Sequence, residues 1–117
     1  MSAKPKLIWK KSCDFCRRFK KALDGLGVEY EDREMNSQPL TAEDISTLMG
    51  GREVKPFLNT RNVVYREQGL ARNPPTRQQA IALISETNNL LKRPVLIVGN
   101  DLLIGADIER ARALLSE

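Results

Sequence analysis

Cys13 and Cys16 are the two cysteines of the chain, in a C-x-x-C spacing. Thiols three residues apart on a helix share one face. One can attack a disulfide and the other can resolve the mixed disulfide that forms. Lys10, Lys11 and Arg17 flank the first thiol. Positive charge and a helix N-terminus both favour the thiolate, which is the nucleophilic form. Cys13, nearer the helix start and the lysines, is the expected nucleophile, and Cys16 the resolving thiol. The chain contains no histidine, which removes every Cys–His or Ser–His nucleophile–base pair and every imidazole metal ligand. A structural zinc site takes four ligands and one C-x-x-C supplies two, so no metal site is expected.

Such a pair needs a strand to deliver it and a helix to hold it. Lys6-Leu7-Ile8-Trp9 is a short apolar run that fits a buried strand. Phe15, Phe19, Ala22, Leu23 and Leu26 follow at helical spacing with Lys and Arg opposite, and Gly25 and Gly27 mark the stop. Val28 to Glu31 alternates as a second strand, and a strand–helix–strand unit of this length gives a parallel pair. Thr41 and Asp44 form a variant capping box for a helix with Ile45, Leu48 and Met49 inward, closed by Gly50-Gly51. Val54 to Asn62, containing Pro56, reads as irregular, and Val63 to Leu70 as one or two helical turns. After the breaker Asn73-Pro74-Pro75, Thr76-x-x-Gln79 is a regular capping box for a helix lined by Ala80, Ile81, Leu83, Ile84 and Leu90. Pro94 to Val98 is the strongest strand signal; Gly99-Asn100 turns it back as Asp101 to Ile104. Asp107 caps a last helix carrying Ile108, Ala111, Leu114 and Leu115. The hairpin makes one pairing antiparallel, so a mixed sheet with a helical insertion is expected.

The 117 residues suit one domain spanning 1–117, with ordinary apolar (41%) and charged (29%) fractions. No apolar run approaches the roughly 18 residues of a membrane span, and the segment Met1 to Lys6 has no leader-like apolar core, so the cytoplasm is the expected compartment. A net charge of +4 falls short of a dedicated nucleic-acid binder. Lys10, Lys11, Arg17, Arg18, Lys20 and Lys21 nonetheless crowd around the thiols, as a solvated helix face or as an anion-attracting rim.

Four segments, taken together, carry a family resemblance. They are the cysteine after the first strand, Asn59-Thr60-Arg61-Asn62 with Tyr65 to Leu70, Leu91-Lys92-Arg93-Pro94 to Ile97, and Gly105 before the final helix. The chain resembles the glutaredoxin-linked arsenate reductase family, which also holds the Spx and MgsR redox regulators, over nearly its whole length. The resemblance implies a thioredoxin-like α/β fold with a mixed four-stranded sheet and a helical insertion. It makes Cys13 the nucleophile, Arg93 an anion-binding arginine and Pro94 a cis-proline. Arg61 and Lys11 join Arg93 as expected anion or substrate contacts, Arg61 also resembling half of a Thr-Arg pair tied to redox sensing in Spx. Two further arginines of the reductases fall on Asn59 and near Gly105, where none stands, which counts against arsenate. The second cysteine is the habit of the Spx and MgsR branch. The implied reductant is glutathione with glutaredoxin, or thioredoxin, with no cofactor bound. The implied partners are a thiol or disulfide substrate or redox protein, or the RNA polymerase α-subunit, for which Gly50-Gly51-Arg52 would be the contact. Neither direct nucleic-acid binding nor a membrane is implied.

Overall fold

The computed structural model describes residues 4–116, so Met1 to Ala3, part of the segment weighed for a leader, lie outside it. The chain divides into two compact units. A sheet unit takes the residues up to Gln38 and from Arg93 onward; a helical unit is Pro39–Lys92.

The sheet unit is built on β1 (Lys6–Trp9), α1 (Asp14–Gly25), β2 (Glu31–Glu34), β3 (Val95–Val98), β4 (Asp101–Ile104) and α5 (Ile108–Leu115). Strand order is β2-β1-β3-β4, with β1 parallel to β2 and both other pairings antiparallel. This is the mixed four-stranded, thioredoxin-like sheet, interrupted in sequence by helices. Leu7 lies opposite Leu96 in the β1–β3 register. Together with Phe19 and Leu23 of α1 and Ala111 of α5 they form one buried cluster. Alternation sends Ile8 and Val95 to the other face, where both are buried as well. Both central strands are therefore apolar at consecutive positions.

The second strand starts three residues later than the alternation of Val28 and Tyr30 suggests. Parallel pairing decides it: Glu31 N–H donates to Pro5 C=O at 2.7 Å and Glu31 stands opposite Lys6. Tyr30 packs against the core cluster instead and donates its hydroxyl to Asp24. Helix α1 also departs from expectation at Phe15. Its buried stripe is Cys16, Phe19 and Leu23, and Phe15 is exposed. With the first helical residue at Asp14, Phe15 falls off that stripe. Gly27, at φ +72°, takes the left-handed position past the helix end.

The helical unit holds α2 (Ala42–Met49), α3 (Val63–Glu67) and α4 (Arg77–Glu86). Thr41 with Asp44, and Thr76 with Gln79, both form complete capping boxes. Helix α4 ends at Glu86, so Leu90 does not line it; Leu90 is buried from a separate 3₁₀ turn, Asn88–Leu90. The segment read as irregular contains a 3₁₀ turn at Lys55–Phe57 and a bridge between Leu58 and Leu91. Asn88 ties the unit together: its side chain accepts from Leu40 N–H at 2.7 Å and donates to the carbonyls of Leu40 (3.2 Å) and Ile84 (2.8 Å). Among the described residues no helix is long and apolar enough to cross a membrane.

Candidate functional site

The loop Lys10–Ser12 carries the chain from β1 into α1, and Cys13 is the N-cap residue with extended backbone. Cys13 N–H donates to Lys10 C=O at 3.0 Å and Cys13 C=O accepts from Arg17 N–H at 3.0 Å, which opens the helix. The sulfur closes no conventional cap bond. The N–H groups of the first turn are left to act on it as a thiolate acceptor.

The two thiols sit in opposite electrostatic conditions. Burial works to raise Cys13, but the Cys16 N–H, the Cys16 thiol, the Arg93 charge and the Phe15 N–H outweigh it and hold Cys13 below its usual 9.0. Cys16 has no exposed surface, at 0%, and burial pushes it up to about 12. The Cys13 thiolate adds to that rise, while the Lys10 N–H and Arg93 work against it. A low-pKa, half-exposed sulfur and a high-pKa, buried one thus face each other within a single turn. Both are free thiols.

Arg93 stands two residues before β3 and is half-buried; the Arg93–Pro94 bond is cis, and Pro94 is buried with its carbonyl accepting from Gly105 N–H at 2.8 Å. The charge acting on both sulfurs is that of Arg93. Two of the neighbouring cations are otherwise engaged. Arg17 pairs with Asp14 and donates to Lys11 C=O at 2.8 Å. Lys20 lies between the rings of Trp9 (5.4 Å) and Tyr30 (5.6 Å) and bonds Asp24 at 3.1 Å. Lys11 is exposed, and its main chain is what binds locally. Cys13, Cys16, Lys11, Arg93 and Pro94 all belong to the sheet unit; Arg61 belongs to the helical unit, exposed, with its N–H on Asn59 Oδ1 at 3.1 Å. The helical unit also contains a cleft of about 220 Å³ lined by Val54, Leu58, Tyr65, Leu70 and Pro74 among others.

One site residue gives no signal in sequence. Glu34, at the end of β2, accepts from Lys11 N–H at 2.9 Å, Asn36 N–H at 3.1 Å, Ser37 N–H at 2.8 Å and Ser37 Oγ at 2.9 Å. Desolvation works to raise its pKa, and these donors overcome it, holding the carboxylate down to about 2. Glu34 thereby fastens the loop that presents Cys13. It stands in an acidic run, Glu29 to Glu34, where nothing marks it out from its neighbours.

Known proteins resemble the chain in sequence and in fold. The family model described as the ArsC family matches residues 3–114. The global transcriptional regulator Spx 1 of Lactococcus lactis is 26% identical over 106 residues, covering 89% of this chain and 83% of that protein. A solved ArsC-family-related protein from Bacteroides fragilis is 29% identical, superposes with a TM-score of 0.78 and covers 97% of this chain and 99% of its own. An arsenate reductase from Vibrio cholerae superposes with a TM-score of 0.81 at 17% identity, covering 94% of this chain and 96% of that one, a likeness of fold alone.

Proposed function

The chain belongs to the ArsC family, and from that premise we propose that it is a cytoplasmic thiol–disulfide redox protein with Cys13 as nucleophile and Cys16 as resolving thiol. The observation that carries this reading is the opposed tuning of two thiols in one helical turn, Cys13 lowered and Cys16 raised to about 12. The Cys13 thiolate attacks one sulfur of a disulfide, forms a mixed disulfide and releases the other sulfur as a thiolate, which takes a proton from solvent. That step consumes the negative charge on Cys13. The two contributions of Cys13 to the high pKa of Cys16, its hydrogen bond and its charge, go with it. Arg93 and the Lys10 N–H, which favour the Cys16 thiolate, remain. Cys16 loses its proton, attacks Cys13 Sγ and frees the substrate's remaining sulfur. Two electrons have passed to the substrate, and glutathione with glutaredoxin, or a thioredoxin, restores the dithiol. Arg93 is the residue suited to hold an anionic sulfur or oxyanion beside Cys13.

The test is oxidation of the reduced protein with a limiting disulfide. A monomer two hydrogens lighter by mass, and none from Cys13→Ser or Cys16→Ser, is the expected result. A product that is only an intermolecular dimer would overturn it.

The Spx relative favours a second reading. In it the same disulfide switches a transcriptional regulator that binds the RNA polymerase α-subunit through the turn Gly50–Arg52. That turn is fixed in shape, since Arg77 donates to the carbonyls of Gly50 and of Arg52, the latter at 3.0 Å. A pull-down on the α-subunit with oxidised and reduced protein separates the readings: redox-dependent capture without catalytic turnover supports the regulator.

A further inference from the structure

The first turn of α1 holds an aromatic ring in water at a sequence position between the two cysteines. Phe15 is 57% exposed; the other large apolar side chain so exposed among the described residues is Val63, at 50%, in the helical unit. The fold gains nothing from a ring at this place. Burial would recover the transfer free energy that exposure forfeits, and the packed face of α1 is already complete with Cys16, Phe19 and Leu23. Alanine would serve the helix better by propensity alone. The ring is not left to itself: the Arg18 guanidinium lies 5.8 Å over its centroid. Phe15, Arg18 and Lys21 follow one another at three-residue intervals and all are exposed. Asp14, the acidic residue of this turn, is neutralised by Arg17, whereas neither Arg18 nor Lys21 has a carboxylate partner among the described residues. The surface beside Cys13 is therefore an aromatic plate edged with uncompensated positive charge.

We propose that Phe15, backed by Arg18, is the docking point for a polypeptide disulfide that carries an apolar side chain and a carboxylate next to its reacting cysteine. The proposal rests on the dithiol reading and names its substrate class. Phe15 is two residues from Cys13, about 3 Å along the helix axis. The Phe15 N–H is one of the donors acting on the Cys13 sulfur, so a client sulfur at Cys13 is seated on the main chain that carries the ring, and its neighbouring side chains reach the exposed surface of that turn. An apolar neighbour gains contact area there, and a carboxylate gains Arg18 and Lys21. Glutathione disulfide has carboxylates but no apolar side chain, so it uses only half of the surface. The chemistry is the exchange described above: a Cys13–client bond forms as the client's disulfide breaks, Cys16 then displaces the client, and two electrons leave the dithiol for it.

The test uses the reduced full chain and the symmetrical disulfides of acetyl-Leu-Cys-Asp-amide, acetyl-Gly-Cys-Asp-amide and acetyl-Leu-Cys-Lys-amide, with the rate of Cys13–Cys16 disulfide formation read by quenched mass analysis. The leucine peptide should react about tenfold faster than its glycine counterpart, a preference of the size one packed side chain confers. Asp in place of Lys should add a further several-fold, which weakens at high salt. Phe15→Ala should bring the Leu-to-Gly ratio to about unity while Phe15→Leu keeps most of it, each ratio being internal to one variant. Equal rates for the two peptides with the unaltered chain, or a ratio that survives Phe15→Ala, would overturn the proposal. No oxidation by any of the three disulfides or by glutathione disulfide is a different failure, that of the dithiol reading itself.

Discussion

Among the described residues four helices begin at a side chain that caps them, at Thr41, Asn62 and Thr76 in the helical unit and at Asp107 in the sheet unit, and α1 uses that position differently. Thr41 and Thr76 spend their hydroxyls on the N–H of the third helical residue and receive a reciprocal bond. The rest of the helical unit follows the same economy, with Asn88, Asn59 and Arg77 all committed to main-chain groups. At α1 the cap position holds Cys13, which closes no such bond, and the N–H groups there act on a sulfur anion. The same helix end that yields stability at α2, α4 and α5 yields a thiolate at α1. Reactivity here comes from donors that the fold declines to satisfy internally.

Cys13→Ser tests the contrast most severely. Disulfide exchange should vanish, while a better capping residue stabilises α1 by about 0.5–1 kcal/mol, read by urea denaturation. A fall in stability would mean that the thiolate was already capping the helix, and the contrast would fail.

Arsenate turnover comes next in size. Binding that oxyanion beside a thiolate calls for several guanidinium forks, and among the described residues of the sheet unit Arg93 is the guanidinium whose charge acts on the sulfurs. In the helical unit the Asn59 side chain is spent on Asn89 C=O at 3.2 Å and on Arg61 N–H. At about 1.5–3 kcal/mol for each missing charged bond, turnover should fall several hundred-fold below a family reductase in an assay coupled to glutathione and glutaredoxin. Comparable turnover, lost in Arg61→Ala, would show that the helical unit contributes to the chemistry after all.

Asn88→Ala asks the converse question. It removes three hydrogen bonds and strands Leu40 N–H, for an expected loss of about 2–3 kcal/mol on thermal or urea unfolding. The iodoacetamide rate of Cys13 in the folded variant should stay within about twofold, since none of the groups that act most on the Cys13 thiol is Asn88 or one of its partners.

Alkylation against pH sharpens the picture inside the sheet unit. Cys13 should titrate below 9.0 and Cys16 stay unlabelled until the pH nears about 12. Arg93→Ala withdraws the charge that favours the Cys13 thiolate, so the rate at neutral pH should drop several-fold. Preferential labelling of Cys16 would reverse the assigned roles.

The smallest effect is Glu34→Gln, about 1 kcal/mol at neutral pH through weaker acceptance of the Lys11 N–H. Because the carboxylate is depressed from 4.5 to about 2, its contribution is complete above 4.5 and lost as pH falls through about 2. The difference between the two proteins should close across that window in an acid titration. A difference that persists at pH 2 would assign it to shape and not to charge.

What the sequence conveyed was local. The C-x-x-C after an apolar run, both capping boxes and the hairpin at Gly99-Asn100 each lie within a few residues, and each formed as their patterns imply. What it hid depends on distant partners. The start of β2 is fixed by pairing with β1 and not by its own alternation. Phe15 counts as apolar in any periodicity, yet the position of the helix start turns it outward. Glu34 is one acid among several until the loop at Lys11 folds against it. Leu90 continues a helical pattern in which the helix has already ended, at Glu86.

Cys16 has no surface in contact with solvent, and this has a meaning for oxidative damage. A peroxide can carry an exposed thiolate past the sulfenic stage to sulfinic and sulfonic acids that do not revert. Such a reagent meets Cys13 alone. On the proposed dithiol reading, the first oxidation places an electrophilic sulfur beside a partner that the reagent does not reach, and ring closure to the disulfide competes with the second oxidation. On that reading the buried thiol is a protected reserve, which converts injury at the surface into a reversible state.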